Sequence, residues 1–308
     1  MRFADFHCDT VLKLYNHQLQ FADTDKQTHL DLKRLKQNDF ILQSFAIFCD
    51  PLWGQESVLR NTLRMLNLAR EQVFQEVNLV TAGEQLEDNG LSGILTIEGA
   101  DFIGDDLFLI DLVHNLGVRL ITLTWNHRNT LADGVGVRAT AGGLTQLGRA
   151  AIQRMQNLNI IVDVSHLAEK GFWDVCKYST RPIVASHSNS QRLCAHPRNL
   201  SDAQIREIGQ NKGLIGVNMS RPFIADTENR QDLEHLVQHM VVLSEIAGVE
   251  TVCLGLDLDG IPALPNGADD VSSVQLLPDL MEQAGFDKRE IEAICYRNLC
   301  RFIKTYLG

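Results

Sequence analysis

His7, Asp9, Glu98, His166 and His187 are the imidazole and carboxylate side chains that zinc and related divalent ions take as ligands. Each alone reads as an ordinary hydrogen-bonding or capping group, so the interest lies in their placement. In His7-Cys8-Asp9 the two donors share one face of an extended segment, because side chains alternate along a strand with period two. Glu98 ends the apolar run Ile94-Leu95-Thr96-Ile97, where a lone ionised carboxylate is costly to bury and a cation would compensate it. Trp125 with His127, and Asp257 with Asp259, hold comparable positions at the ends of other apolar runs.

Other constellations carry less. His235 and His239 are spaced as in the H-E-x-x-H metalloprotease motif, but Leu236 stands where the general base belongs, so a packed or solvated helix face is the better reading. Ser165-His166 and Ser186-His187-Ser188 place hydroxyl beside imidazole without a G-x-S-x-G elbow. Neighbours on a strand point to opposite faces, so neither pair is expected to bond directly. His17, His29 and His114 have no strand-end placement, and no chemical role is assigned to them.

Eight short apolar runs present the candidate groups: 3–9, 40–49, 93–98, 118–125, 160–166, 183–187, 214–219 and 252–257. Most are separated by stretches of helical periodicity, at 56–76, 106–116, 145–157, 168–177, 202–210 and 232–247. Ser201 to Gln204 forms an S-x-x-Q capping box, and Gly117, Gly213 and Gly248 stand where helices should stop. Eight strands with crossover helices suggest an α/β (β/α)8 TIM barrel, in which strand C-termini converge on one catalytic mouth. The chain then reads as one domain, 1–308, with an additional C-terminal helix over about 278–307 packed outside the barrel. A doubly wound open sheet is the runner-up. It lacks its usual support, because His7-Cys8-Asp9-Thr10, not a glycine-rich phosphate loop, follows the first strand.

Composition narrows the partners. The 308 residues carry 28 Lys and Arg against 39 Asp and Glu, a formal net charge of −11 that disfavours nucleic acid and anionic membranes. With 44% hydrophobic and 22% charged residues, the chain has the balance of a folded protein. Seven dispersed cysteines, without a CxxC pair, argue against a disulfide framework. No signal peptide or membrane span is apparent, and a reduced cytoplasmic protein is expected.

Taken together, Phe6-His7-Cys8-Asp9-Thr10, Thr96-Ile97-Glu98-Gly99, Leu123-Thr124-Trp125-Asn126, Gly143-Leu144-Thr145, Asp163-Val164-Ser165-His166, Ser186-His187-Ser188, Arg198-Asn199 and Gly255-Leu256-Asp257-Leu258-Asp259-Gly260 resemble the membrane dipeptidase (renal dipeptidase) family, peptidase family M19, and particularly its bacterial members. The resemblance implies an amidohydrolase-type barrel with two divalent ions, expected to be zinc, that share a hydroxide and hydrolyse dipeptides. Transferred to matching positions, it implies that His7 and Asp9 bind one ion, His166 and His187 the other, and that Glu98 bridges them. Asp257 becomes the acid/base, with Asp259 its neighbouring alternative, and Arg198 the anchor of the substrate carboxylate. Mammalian members end the fourth strand in a substrate-contacting His. Here Trp125 stands there, and His127 is the candidate for the equivalent contact; the Tyr that follows their seventh strand is missing from Asn218-Met219-Ser220-Arg221. Family members are often homodimers, and no stretch of this sequence marks an interface. Two competing readings follow: an amidohydrolase with the same metals acting on another amide, lactam or modified amino acid, and a non-catalytic barrel, disfavoured because no ligand-type residue has been replaced by an inert one.

Overall fold

The computed structural model describes residues 1–87 and 89–308. Its strands, all paired in parallel, are β1 (Phe3–Asp5), β2 (Phe40–Phe48), β3 (Asn78–Leu79), β4 (Ser92–Glu98), β5 (Val118–Thr122), β6 (Ile161–Asp163), β7 (Val184–Ala185), β8 (Leu214–Val217) and β9 (Val252–Leu254). Because β2 pairs with both β1 and β4, while β1 pairs with β9, eight strands close into a (β/α)8 barrel. The ninth, β3, borrows Ser92 and Gly93 at the lower end of β4, before β5 joins that strand at Leu95. Every residue of β4 and β5 is buried, as the near-continuous apolar runs require of parallel strands covered on both faces.

Helices lie close to the periodic segments. Thr145 caps Gln146–Asn157 through the Gly148 N–H, Asp232 caps Leu233–Ala247 through the His235 N–H, and Ser201 and Gln204 form the reciprocal box at Asp202–Gln210. The short helix Thr10–His17, outside the periodic segments, begins directly after Asp9.

The C-terminal segment differs from the single outer helix expected. It breaks into Leu277–Gln283, Lys288–Glu292 and Asn298–Tyr306, with a wider π-turn at Ala293–Arg297. One residue from each barrel strand (Ala4, Leu42, Ile94, Leu120, Ile161, Val184, Leu214 and Cys253) joins Leu299, Phe302, Ile303 and Leu307 in an apolar cluster separate from the main core. The last helix therefore covers the end of the barrel opposite the mouth. Burying each large apolar side chain there contributes roughly 1.5–3 kcal/mol.

Strands also stop earlier than the apolar runs suggest. The runs ending at Asp9, Trp125, His166, His187, Met219 and Asp257 leave the sheet at Asp5, Thr122, Asp163, Ala185, Val217 and Leu254. His166 (φ 67°) and Asp257 (φ 61°) have left-handed backbone conformations, which end an extended run and turn the side chain away from its regular direction. The candidate groups thus occupy the first turns beyond the barrel rim. Among the described residues, no helix is long and apolar enough to cross a membrane, and no disulfide is formed.

Candidate metal centre

The rim brings the five ligand-type residues into one buried cluster. His7 Nε2 lies 3.3 Å from Asp9 Oδ2 and 3.9 Å from both Glu98 Oε2 and Asp257 Oδ1. The other Glu98 oxygen, Oε1, is 2.8 Å from His166 Nε2 and 3.5 Å from His187 Nε2. Those two Nε2 atoms are 2.9 Å apart, and the His7 and His187 rings stack at 3.9 Å. Glu98 thus presents one oxygen to His7 and the other to the His166 and His187 pair.

Local backbone explains the access. Asp9 sits at the N-cap of Thr10–His17 but makes no side-chain capping bond, which leaves its carboxylate to the cluster. At Gly260 a Cβ would come within 2.1 Å of Asp9 Oδ2 and 2.4 Å of Asp257 Oδ1. Only glycine lets both carboxylates approach that turn.

Electrostatics identify what the cluster requires. Burial, reinforced by Asp9 and Glu98 and partly offset by His7, pushes the Asp257 carboxyl up to about 7. Burial also raises Asp9 to about 6, with Glu98 adding to the shift and His7 opposing it. Burial works to raise Glu98 too, but the neighbouring His187 and the positive charge of His7 and Arg198 outweigh that and hold it low. At His166 and His187 burial dominates and keeps the imidazoles neutral, the form that ligates metals. At His7 burial opposes protonation, yet Asp9, Glu98 and Asp257 overcome it and push the ring up to about 10.

The donor set fits divalent cations. Ligand atoms of His7, Glu98 and His187 lie within 4.8 Å of one another, as do those of His7, Asp9 and Asp257. Asp9 Oδ1 is buried without a hydrogen-bond partner, and the mixture of imidazole and carboxylate suits zinc-type ions.

Asp257 and Asp259 diverge. Asp257 faces the cluster and accepts a 2.9 Å hydrogen bond from Asn218 Nδ2. Asp259 turns away, accepting from Thr10 Oγ1 and the His29 N–H at 2.6 Å each. His29 Nδ1 in turn accepts the Asp259 N–H, which gives that histidine a positioning contact. Arg198 is only 5% exposed; it donates to Ser188 Oγ at 3.3 Å and the His187 carbonyl at 3.1 Å, while its Nε has no partner. Trp125 is half-buried with its ring centre 6.3 Å from that of His166. His127 is exposed and lies against Trp125, outside the cluster.

The expectation for Ser186 and His187 needs correction. Ser186 Oγ is 2.8 Å from His187 Nδ1, because β7 ends at Ala185 and strand alternation no longer governs the pair. It is not placed as a nucleophile, since Ser186 gives its hydroxyl proton to Asp163 Oδ2 and His187 directs Nε2 at Glu98. His239 is fully buried between the Ser190 N–H and the Ile224 carbonyl, while His235 pairs with Asp232, so those two histidines do not form a ligand pair. Sequence reasoning also missed Asn126, whose Oδ1 meets His166 Nδ1 at 2.9 Å, and Asn218. Both stand just beyond strand ends, the one signal that could have marked them.

A barrel with buried imidazoles and carboxylates at its C-terminal rim defines a metallohydrolase class. The chain belongs to the membrane dipeptidase family, peptidase family M19, whose family model matches residues 1–306. It is similar to a Rhodobacter sphaeroides metallopeptidase solved with a phosphinate mimic of the dipeptide L-Ala-D-Ala (27% identity, TM-score 0.90, covering 100% of this chain and 99% of that one). The M19 metallopeptidase dipeptidase AC is also similar, at 28% identity and TM-score 0.92 with the same coverage. An uncharacterized dipeptidase of Schizosaccharomyces pombe is 29% identical over 334 residues, covering 98% of this chain and 80% of its own length.

Proposed function

We propose that this dipeptidase-family barrel cleaves dipeptides with two divalent ions, zinc in the first instance, held by His7, Asp9, Glu98, His166 and His187. The observation that carries the reading is Glu98, which offers one oxygen to His7 and the other to the His166 and His187 pair. Ions bound there would lower the pKa of a shared water and polarise the scissile carbonyl.

The remaining chemistry belongs to the protein's own side chains. Asp257 takes the proton from the attacking water and delivers it to the leaving amine, a task suited to a carboxyl raised to about 7. Arg198 supplies the unpartnered Nε and a planar fork for the substrate's terminal carboxylate. That contact restricts substrates to short peptides, because a longer chain has no carboxylate at that distance. Trp125 forms one wall beside His166, and His127 contacts substrate only where it extends past Trp125 to the rim.

The test measures metal content and hydrolysis of a panel containing L-Ala-L-Ala, L-Ala-D-Ala, N-acetylalanine and a lactam. The L,D pair is included because the Rhodobacter relative was solved with an L-Ala-D-Ala mimic. Two ions per chain with turnover of dipeptides alone is the expected result. Turnover of the acylated amino acid or lactam instead would favour the amidohydrolase alternative, and a metal-free protein indifferent to added metal would overturn the proposal.

A further inference from the structure

We propose that Asp163, acting through Ser186, sets which nitrogen of His187 carries its proton and thereby prepares Nε2 to bind metal. This rests on the metal-centre reading above and extends it to two residues that need not touch metal or substrate.

Asp163 ends β6 and is fully buried. Its carboxylate accepts four hydrogen bonds. Oδ1 takes the Ser165 N–H at 3.0 Å and the Ser186 N–H at 2.9 Å, while Oδ2 takes Thr122 Oγ1 at 2.7 Å and Ser186 Oγ at 2.6 Å. A carboxylate accepting in this way dictates the direction of the next bond. Ser186 has one hydroxyl proton, and Asp163 receives it, so the 2.8 Å contact with His187 Nδ1 is available only as a donation from the ring. His187 then carries its proton on Nδ1 and presents a bare Nε2 toward Glu98.

Close backbone packing holds the relay in place. A Cβ at Gly216 or Gly255 would lie about 2 Å from the Ser186 carbonyl oxygen. The two glycines leave room for the Ser186 carbonyl beside β8 and the turn after β9. Ser165 Oγ accepts the His187 N–H at 3.2 Å and fixes the residue from the other side.

Asp163→Asn is the informative substitution, because it keeps the shape and reverses the polarity. An amide whose oxygen retains the two backbone N–H groups turns its NH2 toward Ser186. The serine hydroxyl then donates to His187 Nδ1, and the ring proton moves to Nε2, where it blocks ligation. Ser186→Ala leaves the Nδ1 proton without its acceptor. Thr122→Val removes a different donor from the same carboxylate and leaves the relay direction unchanged.

The experiment measures zinc stoichiometry and affinity by chelator competition, with circular dichroism and thermal melting as controls for folding. Asp163→Asn and Ser186→Ala are expected to weaken one of the two ions by about 10–100-fold. The other ion and the Thr122→Val protein should stay near the wild-type values. Wild-type affinity for both ions in a folded Asp163→Asn or Ser186→Ala protein would overturn the relay, as would equal weakening of both ions or a comparable loss in Thr122→Val. If Asp163→Asn does not fold, Ser186→Ala decides the question. Zinc binding is read without substrate, so a protein that binds two ions but cleaves no dipeptide defeats the proposed function and leaves the relay standing.

Discussion

Asn218 donates its side-chain amide to Asp257 Oδ2 at 2.9 Å, joining the turn beyond β8 to the turn beyond β9. The same amide reaches the His187 carbonyl at 3.2 Å, and Asn218 Oδ1 accepts the Ser220 N–H at 2.6 Å. Asp257 has a left-handed backbone, so its carboxylate direction depends on such contacts. Asn218→Ala should lower kcat by about 10–100-fold, within the range that a displaced acid/base group costs, while both metals remain bound. Steady-state kinetics beside metal analysis checks this, and an unchanged kcat would remove Asn218 from the positioning of Asp257.

Replacing Asp257 itself separates chemistry from metal binding. Asp257→Asn keeps an oxygen for the Asn218 amide and loses the proton acceptor. Turnover should fall by about 10²–10⁴-fold, the range general acid–base catalysis supplies, with metal stoichiometry unchanged. Retained turnover would transfer the role to another group. Asp259 is poorly placed to inherit it, since Thr10 and His29 occupy both of its oxygens.

Arg198 makes a prediction about the substrate. It is buried beside the cluster with Nε unpartnered, and its two recorded donations go to a hydroxyl and a carbonyl, neither of them charged. Arg198→Met should reduce kcat/KM for a free dipeptide by about 10–100-fold, the equivalent of a charge-assisted hydrogen bond. An amide-capped dipeptide should be cleaved poorly by both proteins. If substitution slowed the capped and free substrates equally, carboxylate recognition would lie elsewhere.

Much of this site was legible because its ligand-type residues end apolar runs. Glu98 is the clearest case, closing β4 as the pattern implied. His166, His187 and Asp257 lie near the mouth even though their strands stop three, two and three residues earlier, because the rim turns keep them there. What the sequence could not disclose were contacts between distant positions: Asn126 to His166 is 40 residues apart, Asn218 to Asp257 39, and Thr122 to Asp163 41. An asparagine or aspartate beyond a strand looks like any turn residue until its partner is known. The Ser186 contact departs from strand alternation for a related reason, because that alternation does not extend past the last paired residue of β7. The C-terminal segment reads as one additional helix outside the barrel, but its break into shorter pieces and the position of the last one across the barrel end depend on eight strand residues distributed through the chain.

His239 yields a pH-dependent prediction independent of the metal cluster. Its Nδ1 accepts the Ser190 N–H at 3.1 Å and its Nε2–H donates to the Ile224 carbonyl at 2.9 Å, so the neutral ring satisfies both partners. Burial is the main reason the imidazole is lowered from 6.5 to about 4, with the nearby His235 acting in the same direction and the Ile224 bond opposing it. Above pH 6.5 both folded and unfolded chains hold His239 neutral, and its full contribution to stability is present. As pH falls from 6.5 to about 4 the unfolded chain takes up a proton that the folded chain resists, which removes roughly 3 kcal/mol. His239→Gln should therefore lose less stability than wild type between pH 7 and 4.5, even where it is the less stable protein at pH 7. Denaturant melts of the two proteins across that range provide the comparison. Parallel stability curves would show that protonation of His239 is not coupled to unfolding.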